Sequence, residues 1–188
     1  MIDGEEKLIQ DAVKVGDSSA FGKLYDHYQP MIYRFVLVKV GRREEAEDIT
    51  HQVFLQAWQN IRTYRHRGHP FGSWLYRIAR NQVIDHYRSR KEDLPLEAVD
   101  TEDASRQASQ PDISLRMDME RVMAAIRRLK PEYQDTIIFR FIEDLSIEET
   151  ADAMHKTEGA VKLIQHRAIE ELKEKMDGDV KNADVKKK

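Results

Sequence analysis

Phe71 to Lys91, FGSWLYRIARNQVIDHYRSRK, sets aromatic, cationic and amide side chains at helical spacing. Five of its residues are basic (Arg77, Arg80, Arg88, Arg90, Lys91) and only Asp85 is acidic. At about 100° of turn per residue, Trp74, Arg77, Asn81 and Arg88 share one side of a helix. Cations hold phosphates, aromatic rings stack on unpaired bases, and a carboxamide reads a base edge. The combination points to nucleic acid with strands not fully paired. The plainer alternative is a solvated helix whose arginines snorkel over a core. The preceding loop, RTYRHRGHP, adds Arg65, His66 and Arg67. His66 and His69 in that loop make a poor zinc site, because no third ligand is placed.

A second cluster lies near the C-terminal end. Ser146-Ile147-Glu148-Glu149 is a capping-box sequence: the Ser hydroxyl accepts from the Glu149 amide, and the Glu149 carboxylate reaches back. A short helix to Met154 follows, with Ile147, Ala151 and Met154 facing inward. His155-Lys156 forms a tight turn, and Thr157 caps a helix from Glu158 to Met176. Two helices joined by so short a turn have the form of a helix-turn-helix, whose second helix enters the major groove. Val161, Ile164, Ala168 and Leu172 fall inward, leaving Lys162, Leu163, His166 and Arg167 outward. Leu163 is either a surface blemish or a thymine-methyl contact. The alternative for the whole pattern is an ordinary helical corner. Arg116 to Met176 holds eleven Arg or Lys against thirteen acids, so DNA affinity from this part alone should be weak and salt-sensitive.

Helical periodicity dominates the elements that must position these residues, and no strand pattern is convincing. Glu5 to Val15 is a short amphipathic helix ended by Gly16. Asp17 caps a helix through Phe21, Leu24, Tyr25 and Tyr28, which Pro30 is expected to kink or divide before Ile32 to Val40. Glu44 to Ile61 is the next, with apolar surface from Ile49, Val53, Leu55, Ala57 and Trp58. Glu92 to Pro111 has no apolar periodicity and reads as a flexible acidic linker. Helices resume near Ser114 with a stripe of Leu115, Met119, Val122, Met123, Ile126 and Leu129. Pro131 then starts a helix carrying Tyr133, Ile137, Ile138 and Phe141. The expected fold is all-α: a helical domain over 1–91, a linker over 92–113, a helix-turn-helix domain over 114–176 and a disordered tail over 177–188.

The 188 residues suffice for one domain or two small ones. The net charge of −3 hides a segregation: 62–91 carries eight Arg or Lys and one acid, while 92–113 carries seven acids and one Arg. That asymmetry fits a nucleic-acid surface followed by an acidic tether. Cysteine is absent, which excludes disulfides and thiolate metal sites. No run approaches the roughly 18 apolar residues of a membrane span. MIDGEEKLIQ lacks a signal pattern, so a cytoplasmic location is expected.

EEAEDITHQVFLQAW, FGSWLYRIARNQVIDHYRSRK, the acidic linker and LSIEETADAMHKTEGAVKLIQHRAIEEL occur in that order. On these motifs the chain resembles, over about residues 5 to 176, a bacterial RNA polymerase sigma factor of the extracytoplasmic-function type, the minimal kind with only regions 2 and 4. The resemblance implies that helix 44–61 docks on the clamp helices of the polymerase largest subunit through Asp48, His51, Gln52, Phe54 and Trp58. His51-Gln52 departs from the family's usual Gln followed by an acid. The resemblance also implies that the loop 64–73 and Asn81 receive a base flipped from the non-template strand of the −10 promoter element. Arg65, His66, Arg67 and Phe71 join the −10 single-strand contacts, and Arg77, Arg80 and Arg88 hold phosphates. Trp74 is either its stacking platform or a core anchor. The −35 element falls to Lys156, Thr157, Lys162, Leu163, His166 and Arg167. The implied partners are core RNA polymerase, promoter DNA and an anti-sigma factor, with no cofactor, no metal, no membrane insertion and no catalysis of its own. A second reading, from another class, is a stand-alone helix-turn-helix regulator of duplex DNA. It leaves the 44–91 block without a purpose. An enzyme is a third, and neither a phosphate-cradling loop nor a nucleophile motif supports it.

Overall fold

A computed structural model describes residues 4–14, 16–64, 70–93 and 113–185, with side chains described at 4–14, 16–64, 70–89 and 118–177. Arg65, His66, Arg67, His69 and the greater part of the acidic linker lie outside the described residues. Among the described residues every regular element is helical. The chain divides into two compact units, Met1–Glu102 and Asp103–Lys188.

The first unit holds α1 (Glu5–Lys14), α2 (Ser18–Val40), α3 (Arg43–Asn60), a 3₁₀ turn (Ile61–Thr63) and α4 (Phe71–Asp93). Gly16 adopts φ +69°, a left-handed turn that only glycine makes without strain. Asp17 then accepts the Ser19 amide at 2.8 Å and starts α2 as an N-cap. Pro30 does not divide the helix: α2 runs unbroken across it to Val40. Pro30 is exposed, so the carbonyl deprived of its partner one turn earlier remains open to water. Gly41, at φ +78°, closes α2 by donating to the Leu37 carbonyl at 2.8 Å.

Leu24, Ile32, Phe35, Val36, Val53, Leu75 and Val83 fill the core of this unit. The buried face of α3 is Ala46, Ile49, Thr50, Val53, Phe54 and Ala57, a regular i, i+3/i+4 stripe. Leu55 was expected on that stripe and is 51 % exposed; Phe54 takes the inward place. Leu55 stands about 200° around the helix from Val53 and from Ala57, so it points away from the core they face.

The second unit holds α5 (Ile113–Arg127), α6 (Pro131–Ile137), a π turn (Ile138–Ile142), α7 (Ile147–Met154) and α8 (Glu158–Val185). Pro131 opens α6 at its first position, as its fixed φ favours. The π turn overturns one expectation. Glu143 donates to the Ile138 carbonyl five residues back, and the wider turn delays the helical phase. Phe139 is therefore fully buried and Phe141 turns out, 57 % exposed. Met119 is exposed as well, while Val122 and Met123 one turn on are half-buried.

A second expectation also fails. The stretch after Met176 continues α8 to Val185. Extending an existing helix needs no new nucleus, and Gly178 disfavours it by only about 1 kcal/mol.

Candidate nucleic-acid interface

On α4 the buried side comprises Phe71, Leu75, Tyr76, Ile78, Ala79 and Val83. The other side leaves Trp74, Arg77 and Arg80 half-buried, and Asn81 and Arg88 exposed. Trp74, Arg77, Asn81 and Arg88 thus stand outside the core on one side, with Asn81 presenting its amide to solvent. Ile84 (50 % exposed) extends the same run as an apolar residue that charge-based reading missed; its i+3 spacing from Asn81 was the available signal.

Phe71 departs from expectation. It is 1 % exposed, so it supports the surface instead of meeting a base. Its ring packs between Tyr28 (centroids 5.6 Å), Tyr64 (5.2 Å) and Trp74 (5.3 Å). Trp74 also meets Tyr64 at 5.2 Å. These contacts reconcile its two alternatives: Trp74 is anchored through Phe71 and Tyr64 and remains partly exposed. Burial, then the nearby Glu5 carboxylate, pushes the Tyr64 phenol up to about 12.

Polar side-chain contacts join α4 to α3. Gln82 donates to the Gln56 side chain at 2.9 Å, and His86 Nε2 lies 3.2 Å from Glu45. A third bond joins α4 to α2, where the Tyr87 hydroxyl donates to the Lys39 carbonyl at 2.8 Å.

The side of α3 away from the core carries Asp48, His51, Gln52, Leu55, Gln56 and Gln59, all exposed. Of the five residues proposed there from sequence, Asp48, His51 and Gln52 lie on this face. Phe54 does not: it is 4 % exposed and packs edge-on against Tyr25 at 4.7 Å. Trp58 is half-buried, with its ring 5.0 Å from Phe21. Leu55 is an apolar residue among polar neighbours on this face.

In the second unit both halves of the capping box form: Ser146 N–H donates to Glu149 at 2.8 Å, and Glu149 N–H donates to the Ser146 hydroxyl at 3.1 Å. His155 takes a left-handed φ of 53°, and Lys156 N–H donates to the Ala151 carbonyl at 2.9 Å, which makes the tight turn. The Thr157 hydroxyl accepts from Ala160 N–H at 3.2 Å and caps α8. Val161 and Ala168 are fully buried and orient the helix. Lys162, Leu163, His166 and Arg167 all face solvent, with Leu163 50 % exposed. Lys162 lies 3.7 Å from Glu158, and His166 3.4 Å from Glu170. Such exposed pairs are weak and exchange readily for phosphate. Lys156 is committed elsewhere, 3.2 Å from Glu132 of α6. Arg140 ties the π turn to α8, donating to Gln165 at 3.2 Å and to the Leu145 carbonyl.

The first unit is an all-helical bundle with Trp74, Arg77, Asn81 and Arg88 on one side of α4, and the second is a capped helix-turn-helix, a form common among DNA-binding proteins. The family models for sigma-70 region 2 and sigma-70 region 4 match residues 24–92 and 119–174. An ECF RNA polymerase sigma factor of Streptomyces coelicolor, BldN, is 38 % identical over 88 % of the chain, and the chain spans 63 % of that relative's length. SigW of Bacillus subtilis, also an ECF RNA polymerase sigma factor, is 30 % identical over 87 % of the chain and 92 % of its own length. In fold, the chain is similar to CnrH, solved in complex with the cytosolic domain of CnrY (TM-score 0.72, 22 % identity, covering 94 % of this chain and 99 % of that one). The chain belongs to the ECF group of the sigma-70 family of RNA polymerase sigma factors. No described helix is long and apolar enough to cross a membrane.

Proposed function

We propose that the chain is a transcription-initiation subunit, without catalysis of its own, that binds core RNA polymerase in the cytoplasm and opens promoter DNA. The observation that carries this reading is the pairing, within one unit, of two different surfaces. The α3 face of Asp48, His51, Gln52 and Leu55 is polar with one apolar centre, as suits a protein partner. The α4 face of Trp74, Arg77, Asn81 and Arg88 suits a single strand. A regulator of duplex DNA has no use for either.

In this reading α3 docks on the polymerase. The loop that the sequence sets between Tyr64 and Pro70 supplies Arg65, His66 and Arg67 to the non-template strand. Asn81 reads the edge of a flipped −10 base, and the arginines of α4 hold its phosphates. Unpairing that base costs a few kcal/mol, which stacking and edge contacts offset. The second unit offers Lys162, Leu163, His166 and Arg167 to the −35 major groove, with Lys156 and Thr157 at its margin. An anti-sigma factor that covers the polymerase-facing side of α3 is the regulatory partner we propose.

The test is strand opening by the protein bound to core polymerase, read with a fluorescent base analogue in the −10 element. Asn81→Ala should open selected −10 sequences more weakly, by about 1–3 kcal/mol in discrimination, while polymerase affinity is unchanged. Equal opening of every −10 variant by the parent and by Asn81→Ala removes Asn81 as the base reader.

A further inference from the structure

Glu5 is a first-turn acid of α1 that belongs, by position, in solvent. Its neighbour Glu6 is exposed, yet Glu5 is only 6 % exposed. Burying a carboxylate is unfavourable unless it is well bonded. Glu5 Oε1 accepts the Tyr28 hydroxyl at 2.6 Å, from α2, in a buried hydrogen bond. The Tyr28 ring also lies against Gly72 of α4. The second oxygen, Oε2, is also buried and has no hydrogen-bond partner among the described residues.

Gly72 is the second residue of α4, whose first N–H groups have no partner within the helix. The residue before the helix is Pro70, which has no side-chain acceptor to cap them. Tyr28 lies beside that turn from another helix. The approach is close: a Cβ at position 72 would lie 3.0 Å from Tyr28 Cε1 and would push the ring back. The Tyr28 ring then packs on Phe71, and Phe71 on both Tyr64 and Trp74. One buried carboxylate on α1 therefore fixes the start of α4 and, through the rings, both aromatics beside its exposed face. The match to sigma-70 region 2 begins at residue 24, so α1 lies outside it.

We infer that Glu5, acting through Tyr28, is a positioning residue for strand opening, holding the first turn of α4 and the Tyr64–Trp74 pair in the geometry that receives an unstacked base. This rests on the reading of the α4 face given above. Glu5 touches no nucleic acid; it acts on the frame that does.

The experiment uses the full chain with core polymerase and a promoter carrying a fluorescent base analogue in the −10 element. Opening, polymerase affinity and binding to a −35 duplex are each measured. Tyr28→Phe keeps the ring and removes only the hydroxyl; Glu5→Ala removes the acceptor; Glu5→Gln keeps an acceptor oxygen. Tyr28→Phe and Glu5→Ala should lower opening about tenfold or more, the scale of a displaced positioning group, with the other two affinities within about twofold. Glu5→Gln should recover most of the loss, which a simple packing role does not predict. If Glu5→Ala fails to fold, Tyr28→Phe decides. Opening by Tyr28→Phe at the parent's level overturns the inference, as does a loss of opening matched by an equal loss of polymerase affinity. The parent separates the two claims. If it opens all −10 sequences alike, the base-reading assignment of α4 fails. If it discriminates and Tyr28→Phe discriminates and opens equally well, only the role of Glu5 fails.

Discussion

Asn81 and Phe71 show what decides a functional position at the residue scale. Both lie on α4 and both were candidates for DNA contact, but helical phase sends Asn81 to solvent and Phe71 into a ring cluster. Tyr64 belongs to that cluster, and its environment gives a pH prediction. Its phenol is raised from 10.0 to about 12 by burial first and by Glu5 second, and burial raises Tyr28 still further. The folded state thus favours the neutral phenol more than the unfolded state does. The stabilisation is complete below pH 10 and is lost as pH rises through about 12. Thermal melting of the chain should fall steeply over that window, and Tyr64→Phe should lessen the slope. A melting temperature flat across it would show that Tyr64 ionises freely in the folded protein.

At the element scale, capping and phase explain both what the sequence made legible and what it hid. The capping box at Ser146, the N-cap at Asp17 and Pro131 at a first turn are local signals, set by a few adjacent residues, and each appears where its chemistry requires. The outward set Lys162, Leu163, His166 and Arg167 was legible for a similar reason, since Val161 and Ala168 fix the phase of α8. Phe141 was not, because a π turn shifts the phase without a distinctive residue at the shift. Leu55 and Phe54 are neighbours of equal hydrophobicity, and only tertiary packing chooses between them. Glu5 was invisible as a buried group, because its partner Tyr28 stands 23 residues away and no local rule brings them together.

Two predictions belong to this scale. Ser146→Ala removes one acceptor of the capping box and should destabilise the second unit by about 1 kcal/mol, measured by denaturant unfolding; no change would mean the bond is as good to water. Lys162→Ala combined with Arg167→Ala should weaken binding to a −35 duplex and reduce the salt slope by about one per lost phosphate contact. An unchanged slope would place both side chains away from the phosphates.

Across the whole molecule the division of labour follows the two units. The helix-turn-helix presents few free cations, and its surface carries nearly balanced charge, so it is suited to a modest contribution. In the function proposed above, the first unit pairs a protein-facing helix with a strand-facing one. Each surface alone is weak, and joining them in one chain raises the effective concentration of each for the next. On that proposal a chain of net charge −3 selects DNA with the polymerase bound beside its basic surface. The most direct test is transcription by core RNA polymerase on a random promoter library with and without the protein. The account predicts transcripts that appear only with the protein, from templates sharing two short motifs at a fixed separation upstream of the start. Identical transcript sets with and without the protein would contradict it.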